Sequence, residues 1–231
     1  MINAEAKSQK SGVRSQKIIS ILDFRITNLK SQIILLFTVL CPLFTVFYGC
    51  TTLKGPAILA PMPPLSPEYN NSGHKMAFAT KDVKISLLPL NPSETKKALT
   101  MKDANNPLAE ILSANQYLVF IMDIENLSKS KLMYNPSLTT LFDNNMDVRK
   151  PLDYTDLYSL AGNLSDVDFV LSRMKDMFYD IAITLEPGQK TSRLLLFPGI
   201  DEKANEMTII MKEIYIGTST IAVSFGFKVA E

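Results

Sequence analysis

The sequence is poor in the residue types that build metal and redox sites. Its 231 residues include two cysteines, one histidine and no tryptophan. A zinc site therefore has almost no cysteine and histidine ligands to draw on, and a Ser-His-Asp site would depend on His74, which we interpret as a solvated loop residue. There is also no glycine-rich phosphate loop. We therefore predict no catalytic residue, no cofactor and no metal ion.

The chain also lacks a strong excess of charge of one sign. The formal net charge is +1, but residues 1–50 hold six Lys/Arg and two Asp/Glu, whereas the remainder holds 18 and 21. The two parts thus carry net charges of +4 and −3. A mildly acidic main part gives no electrostatic reason to bind nucleic acid.

One long apolar run is present. Residues 33–49 contain no charged side chain, and as a helix they would span roughly 25 Å, slightly less than a ~30 Å hydrocarbon core. A positively charged flank precedes the run, which is the layout of a secretory signal and predicts that the N-terminus stays inside. We predict a signal peptide over residues 1–49. The alternative is an uncleaved helix in the inner membrane.

The run closes with the letters FYGC. A small residue, Gly49, directly before Cys50 at the end of an apolar run resembles the lipobox of bacterial lipoproteins. The resemblance implies cleavage between Gly49 and Cys50, attachment of lipid such as palmitate to Cys50, and a place in the cell envelope. Thr51 is what lipoprotein sorting rules associate with the outer membrane. Cys41 is a less suitable site of lipid attachment because Leu40, the residue before it, is not small.

The part after Cys50 begins with a proline-rich segment. Residues 51–75 hold five prolines, which block helix formation and favour an extended spacer of at most roughly 75 Å. We predict a tether over residues 50–75, with a loop packed on the domain as the alternative.

Residues 76–231 are predicted to form one mainly β domain. Alternating apolar residues predict about seven strands separated by Pro-Gly and similar turns, which indicates an antiparallel β-sandwich. A change to helical spacing over residues 155–178 predicts two short helices inserted between strands, and Pro107 opens a further short helix. The predicted strands lie at 76–90, 117–126, 132–142, 181–185, 193–197, 207–216 and 221–229.

Three segments of this domain resemble a known family. The strand at 119–126, the Glu-Pro-Gly-Gln turn at 186–190 and the segment 193–198 resemble telokin-type immunoglobulin-like domains of bacterial lipoproteins. The resemblance implies an immunoglobulin-like sandwich.

Two groups of acidic residues are candidates for chemistry. Asp123 and Glu125 share one face of a strand, as a carboxylate pair for glycoside cleavage would, although solvated strand-end carboxylates explain them as well. The segment 143–147, with Asp143, Asn145 and Asp147, has the first three ligand positions of a calcium loop. It lacks the later ones, so we interpret it as a polar turn.

Two groups of side chains are candidates for recognition. Within the helical insertion, an apolar cluster could accept a partner, with core packing against the sheet as the alternative; its members are Met174, Met177, Phe178 and Tyr179. Tyrosines could instead stack on sugar rings, namely Tyr134, Tyr154, Tyr158 and Tyr215. We therefore predict a lipid-anchored, non-enzymatic binding or accessory module whose partner is an envelope protein or a glycan. A carboxylate-dependent glycoside hydrolase is the lesser alternative.

Overall fold

The chain forms a mainly β structure, as predicted. The computed structural model describes residues 53–54, 58–101, 104–114, 116–201 and 203–230. The apolar run at 33–49 and the predicted lipid site at Gly49 and Cys50 lie outside these residues. The described helices are α1 (Pro92–Thr100), α2 (Leu108–Leu112), α3 (Tyr154–Ala161) and α4 (Val167–Arg173). The described strands are β1 (Leu53–Lys54), β2 (Leu59–Pro61), β3 (Tyr69–Ser72), β4 (Lys75–Ala79), β5 (Val83–Leu90), β6 (Tyr117–Asn126), β7 (Leu132–Tyr134), β8 (Thr139–Asp143), β9 (Val148–Arg149), β10 (Ile183–Leu185), β11 (Lys190–Pro198), β12 (Ile200–Asp201), β13 (Glu206–Ile216) and β14 (Ser219–Val229).

Two antiparallel sheets make up the domain. The five-stranded sheet has the order β11-β6-β5-β4-β3. The larger sheet has the order β10-β7-β13-β14-β2, with β8 also paired to β13 and β9 paired to β8. The short strands β1 and β12 pair with each other.

The main core lies between the inner faces of the two sheets. Successive side chains of a strand point to opposite faces, so β6 sends every second residue inward. Phe120 of β6 is fully buried, and its ring contacts Phe197 of β11 and Phe227 of β14 at centroid distances of 6.1 and 5.4 Å. The aromatic contacts therefore join β6 to a strand of each sheet.

The helices form a second layer on the outer face of the five-stranded sheet. They bury a separate apolar cluster that includes Leu90, Val119 and Leu196 of the sheet. Two helices begin at well-formed caps. Asn91 and Glu94 form a capping box at α1, and Asp153 and Asp156 form one at α3, where side chains satisfy amides that the helix itself leaves unpaired.

The predicted tether over residues 50–75 is wrong for its described part. Residues 59–61 form β2, which pairs with β14, and residues 69–72 form β3 at the edge of the five-stranded sheet. Leu59 is 5% exposed within the main core. Apolar residues between the prolines thus pack on the sandwich, because burying them offsets the cost of ordering the segment.

Candidate functional site

The four apolar residues predicted as a partner surface are buried. Met174, Met177, Phe178 and Tyr179 are 4%, 7%, 4% and 1% exposed, so they belong to the core and the prediction of a free surface is wrong. The cause is the path of residues 177–179 along the edge strand β11. There the Leu194 amide donates to the Met177 carbonyl oxygen at 2.8 Å, and the Tyr179 amide donates to the Leu194 carbonyl oxygen at 2.9 Å.

Tyr179 shows how firmly this segment is held. Its hydroxyl group donates to the Met122 carbonyl oxygen at 3.1 Å, and its ring meets that of Tyr134 edge-on at 5.8 Å. Burial raises the pKa of the Tyr179 hydroxyl group far above its ordinary value. The segment after α4 therefore closes the edge of the sandwich.

A groove opens on the outer side of this same segment. It has a volume of about 330 Å³ and lies among α3, α4 and residues 174–181. Its floor is apolar and buried, whereas Tyr154 and Ile181 at its wall are 47% and 58% exposed. We call it the insertion groove; its floor is Leu157, Leu171, Met174 and Phe178, and its rim is Asp168, Ser172, Lys175, Asp176, Asp180 and Arg193.

Arg193 fastens the rim of the insertion groove to the sandwich. Its guanidinium group donates to the Asp176 carboxylate at 2.8 Å and lies 5.9 Å from the centre of the Tyr179 ring. Asp168, Lys175 and Asp180 form no ion pair within the part of the chain that the structure describes. Unpaired charges of both signs thus remain at the rim.

Two of the four tyrosines predicted as stacking surfaces come together. Tyr154 and Tyr158 lie one helical turn apart on α3, are 47% and 44% exposed, and have ring centroids 6.4 Å apart. Tyr134 is 1% exposed and shares a hydrogen bond of 2.7 Å with Thr139. Tyr215 lies apart from them on β13 and donates to Glu213 at 2.8 Å. Only the pair on α3 can present a shared aromatic surface.

Asp123 and Glu125 line a second, polar cleft. Strand pairing places Asp123 between Ser86 and Ser192, and Glu125 between two lysines in the next row. All of these side chains point away from the main core. We call this depression of about 420 Å³ the sheet cleft; its lining is Lys75, Lys84, Ser86, Asp123, Ile124, Glu125, Lys190, Thr191 and Ser192.

Asp123 is held in its charged form. Its carboxylate accepts hydrogen bonds from Lys75 at 2.6 Å, Ser192 at 2.7 Å and Ser86 at 3.0 Å. Burial acts to raise the pKa of this carboxyl group. The hydrogen bonds of Lys75, Ser192 and Ser86 and the charge of Lys75 together outweigh that effect, so the pKa lies below its usual range. A general acid for glycoside cleavage needs the opposite shift.

The other candidates from the sequence have structural roles. The Asp143 carboxylate accepts from the Asn145 and Asp147 amides at 3.0 and 3.1 Å and pairs with Arg149 at 2.8 Å. These bonds hold residues 143–147 as a polar turn between β8 and β9, which confirms that interpretation. The Asp143 oxygens, the first ligands that a calcium loop would need, are already used within the protein. The His74 ring nitrogen Nδ1 lies 3.1 Å from the Leu59 carbonyl oxygen, and His74 forms no hydrogen bond to a nucleophilic side chain among the described residues.

Several residues of both depressions were missed at the sequence level. Lys84 alternates with the apolar residues Val83 and Ile85, and Lys190 begins the polar half of β11; this alternation was the available signal for an open sheet face. Ile181 and Asp180 gave no such signal because the fold, not the local pattern, leaves them at the groove.

Among the described residues, no helix has the length and apolar character of a membrane span, and no three metal-ligating side chains cluster.

Comparisons with known proteins give only distant similarity. No protein-family model and no curated protein matches the chain. Among solved structures the similarity is weak, with TM-scores below 0.4 for the three described below. The yjhA protein of Bacillus subtilis is 12% identical with a TM-score of 0.36, over 64% of this chain and 93% of its own.

The other two structures are similar at the same level. A candidate lipoprotein, ycdA of Bacillus subtilis, is 12% identical with a TM-score of 0.38, over 67% of this chain and 39% of its own. A protein of unknown function from Listeria monocytogenes EGD-e is 15% identical with a TM-score of 0.34, over 77% and 90%. What the chain does must therefore follow from its own residues.

Proposed function

We propose that this chain is a membrane-anchored envelope lipoprotein whose domain acts as a non-enzymatic binding module. The observation that carries the binding role is the insertion groove. It combines a buried apolar floor, the exposed side chains of Tyr154 and Ile181, and a rim with unpaired charges. Small-molecule and peptide sites have this composition, because apolar contacts supply affinity and a few polar groups fix orientation.

The strand order supports an immunoglobulin-like sandwich as the scaffold. One sheet contains the order β5-β6-β11, which matches strands A-B-E of that fold. The other sheet contains the order β10-β7-β13-β14, which matches strands C′-C-F-G. On this assignment, α3 and α4 are inserted between strands C and C′. An insertion on a rigid sandwich is where binding residues are commonly placed, because the scaffold positions them.

The anchor rests on the sequence around Cys50. Cleavage after Gly49 would leave Cys50 as the first residue, free to carry lipid, and Thr51 favours delivery to the outer membrane. An uncleaved helix over 33–49 in the inner membrane is the alternative. In either case the membrane is one partner of the protein.

The packing of Leu59 limits how far an anchored domain can stand from the lipid. Eight residues lie between Cys50 and Leu59, which makes nine residue-to-residue steps, and a fully extended chain spans at most roughly 3.3–3.6 Å per step. The reach is therefore at most about 30 Å, less than half of the ~75 Å of an unpacked tether. Attachment at such short range raises the effective concentration of the domain near any partner in the same layer.

The anchor is tested by metabolic labelling with a palmitate analogue. The native chain should incorporate the label and Cys50→Ala should not, while Cys41→Ala, which leaves the lipobox intact, should label like the native chain. Equal labelling of the native chain and Cys50→Ala would refute lipid attachment at Cys50.

The binding role is tested by site-specific photocrosslinking in intact envelopes. A photoreactive residue at Tyr154, which lines the insertion groove, should capture a discrete partner band. The matched position is Tyr215, an exposed tyrosine away from the groove. Capture at both positions alike, or at neither, would contradict a binding site at the groove.

A glycan is the second candidate ligand, and the α3 tyrosine pair favours it. Tyr154 and Tyr158 offer adjacent exposed rings, and the Asp168 and Asp180 carboxylates at the rim can accept hydrogen bonds from sugar hydroxyl groups. On a glycan array we expect a signal that Tyr158→Ala abolishes and Tyr215→Ala preserves. No signal above background would remove this candidate.

A further inference from the structure

The helical layer covers only part of the five-stranded sheet. Two rows of its outer face are apolar and packed under the helices, namely Leu90-Val119-Leu196 and Leu88-Ile121-Leu194. The next two rows, Ser86-Asp123-Ser192 and Lys84-Glu125-Lys190, are polar and line the sheet cleft. The cleft is thus a feature separate from the insertion groove.

The two polar rows differ in their charge balance. In the serine row, Lys75 neutralises Asp123 directly, and both hydroxyl groups donate to the same carboxylate. In the lysine row, Glu125 lies between Lys84 and Lys190. None of these three side chains forms a hydrogen bond or ion pair within the described ranges. The neighbouring row is therefore internally satisfied, whereas this row is open to a ligand.

Charge complementarity selects the kind of ligand. A simple anion near one lysine would also approach the carboxylates of Glu125 and Asp123, and a simple cation near Glu125 would meet three lysines. A ligand with both charges avoids each repulsion. Glu125 supplies the negative charge for such a ligand, and Lys84 and Lys190 supply positive charges on the two neighbouring strands, each about 4.8 Å away.

We propose that the sheet cleft binds zwitterionic ligands of the amino-acid or short-peptide class. Glu125 accepts the ligand ammonium group, and Lys84 or Lys190 donates to the ligand carboxylate. The hydrogen-bonded Lys75-Asp123 pair fixes the floor beside them. Charge-assisted hydrogen bonds of this kind are the stronger ones in proteins.

The test is a titration of the full chain in detergent micelles with glycylglycine, followed by amide NMR shifts. We expect saturable shifts of residues in β5, β6 and β11, and no shifts with N-acetylglycylglycinamide, which has the same backbone without the charges. Glu125→Gln and the double variant Lys84→Gln, Lys190→Gln should each weaken binding by about tenfold or more.

The matched control is Lys212→Gln, an exposed lysine on β13 away from the cleft, which should bind like the native chain. Lys84, Lys190 and Lys212 are exposed and Glu125 is partly exposed, so we expect an unchanged unfolding midpoint in every variant, measured alongside to separate loss of binding from misfolding. Equal binding of the blocked dipeptide, shifts with inorganic phosphate that Glu125→Gln leaves intact, or no shift with glycylglycine would each overturn the proposal.

Discussion

At the scale of single residues, Asn126 is the most completely used polar side chain in the sandwich. It is fully buried at the end of β6, and its amide group donates to the carbonyl oxygens of Ser130 and Leu185 at 2.8 and 2.9 Å. Its own oxygen accepts from the amide and the hydroxyl group of Ser128. One side chain therefore shapes the turn after β6 and joins it to β10.

Replacing Asn126 by alanine should be costly. The change removes the side-chain donor to the buried Leu185 carbonyl oxygen and the contacts that hold Ser128 and Ser130 in the turn. Leaving a buried polar group unpaired costs about 1–3 kcal/mol. We expect Asn126→Ala to lower the free energy of unfolding by about 2–4 kcal/mol in urea denaturation. Asn70→Ala, at an exposed position of the edge strand β3, should change it by less than about 0.5 kcal/mol. Similar losses in both variants would contradict the role of Asn126.

Asp123 should make stability depend on pH in the acid range. Because its pKa is depressed in the folded state, the stabilisation is fully present above the unfolded-state pKa, about 3.9. It is lost as the pH falls through the lower folded-state pKa. We expect Asp123→Asn to be less stable than the native chain by about 0.5–1 kcal/mol at pH 7, a small value because the pair is partly exposed.

That difference should disappear on acidification. Urea denaturation from pH 7 to pH 2 measures it, with Asp180→Asn, a groove-rim residue without an ion pair among the described residues, as the control. A difference that stays constant over this range would contradict the hydrogen-bonded carboxylate at Asp123.

Residue-level prediction failed where tertiary neighbours decide exposure. The sequence correctly identified Met174 and Phe178 as apolar, but apolar spacing does not say which face a neighbouring strand will cover. Here Phe178 pairs with Leu194 of β11, and both Met174 and Phe178 join the apolar cluster between the helices and the sheet. The same limit applies to the tyrosines. Tyr134 and Tyr158 look equivalent in sequence, yet one packs in the core and the other lies exposed on α3.

At the scale of elements, the caps of the insertion helices explain their positions. The sequence predicts two helices within 155–178, and α3 and α4 are in agreement. Ser165 and Asp168 have the spacing of a capping box, but Asp166 is the N-cap of α4 and accepts from the Phe169 amide. For α3, the Asp153 and Asp156 pair was the readable signal.

The cap of α3 should control the local stability of the insertion. Asp153→Ala removes an acceptor for the Asp156 amide, a loss worth about 1 kcal/mol. We expect faster amide hydrogen exchange over residues 154–161, with exchange in β6 and β13 unchanged. Asp168→Ala, which removes an exposed aspartate from the first turn of α4, should leave exchange over 154–161 as it was. Uniform acceleration across the domain would contradict a local role.

Helix α1 begins at a capping signal that apolar spacing does not reveal. The segment after Asn91 is polar, so apolar spacing predicted no helix there. Yet Asn91 and Glu94 stand three apart and Pro92 occupies the first helical position, which together indicate a helix start. Only Thr95 and Leu99 of this helix are buried, too few for a periodic pattern to emerge.

At the scale of the whole molecule, the outer face of the five-stranded sheet is divided between two environments. The pattern of β6 predicts apolar cover on both faces, and this holds for Val119 and Ile121. It does not hold for Asp123 and Glu125, which lie beyond the helices. Alternation along a strand predicts the two faces of a sheet, but the extent of a covering layer depends on where distant helices end.

Two leucines mark where the folded domain begins. Leu59 and Leu65 both lie in the segment predicted as tether, but Leu59 is 5% exposed in the main core and Leu65 is 77% exposed. Removing a buried leucine side chain costs about 2–5 kcal/mol. We expect Leu59→Ala to lower the free energy of unfolding by that amount, and Leu65→Ala to change it by less than about 0.5 kcal/mol.

This pair separates the two descriptions of the segment by chemical denaturation alone. A free spacer contributes nothing to unfolding, so both variants would then behave like the native chain. If neither substitution changed the free energy of unfolding, β2 would not be part of the folded domain. The segment would then be an extended tether with the longer reach. A loss confined to Leu59→Ala instead places the start of the cooperative unit at or before β2, because Leu59 must be packed for its truncation to matter.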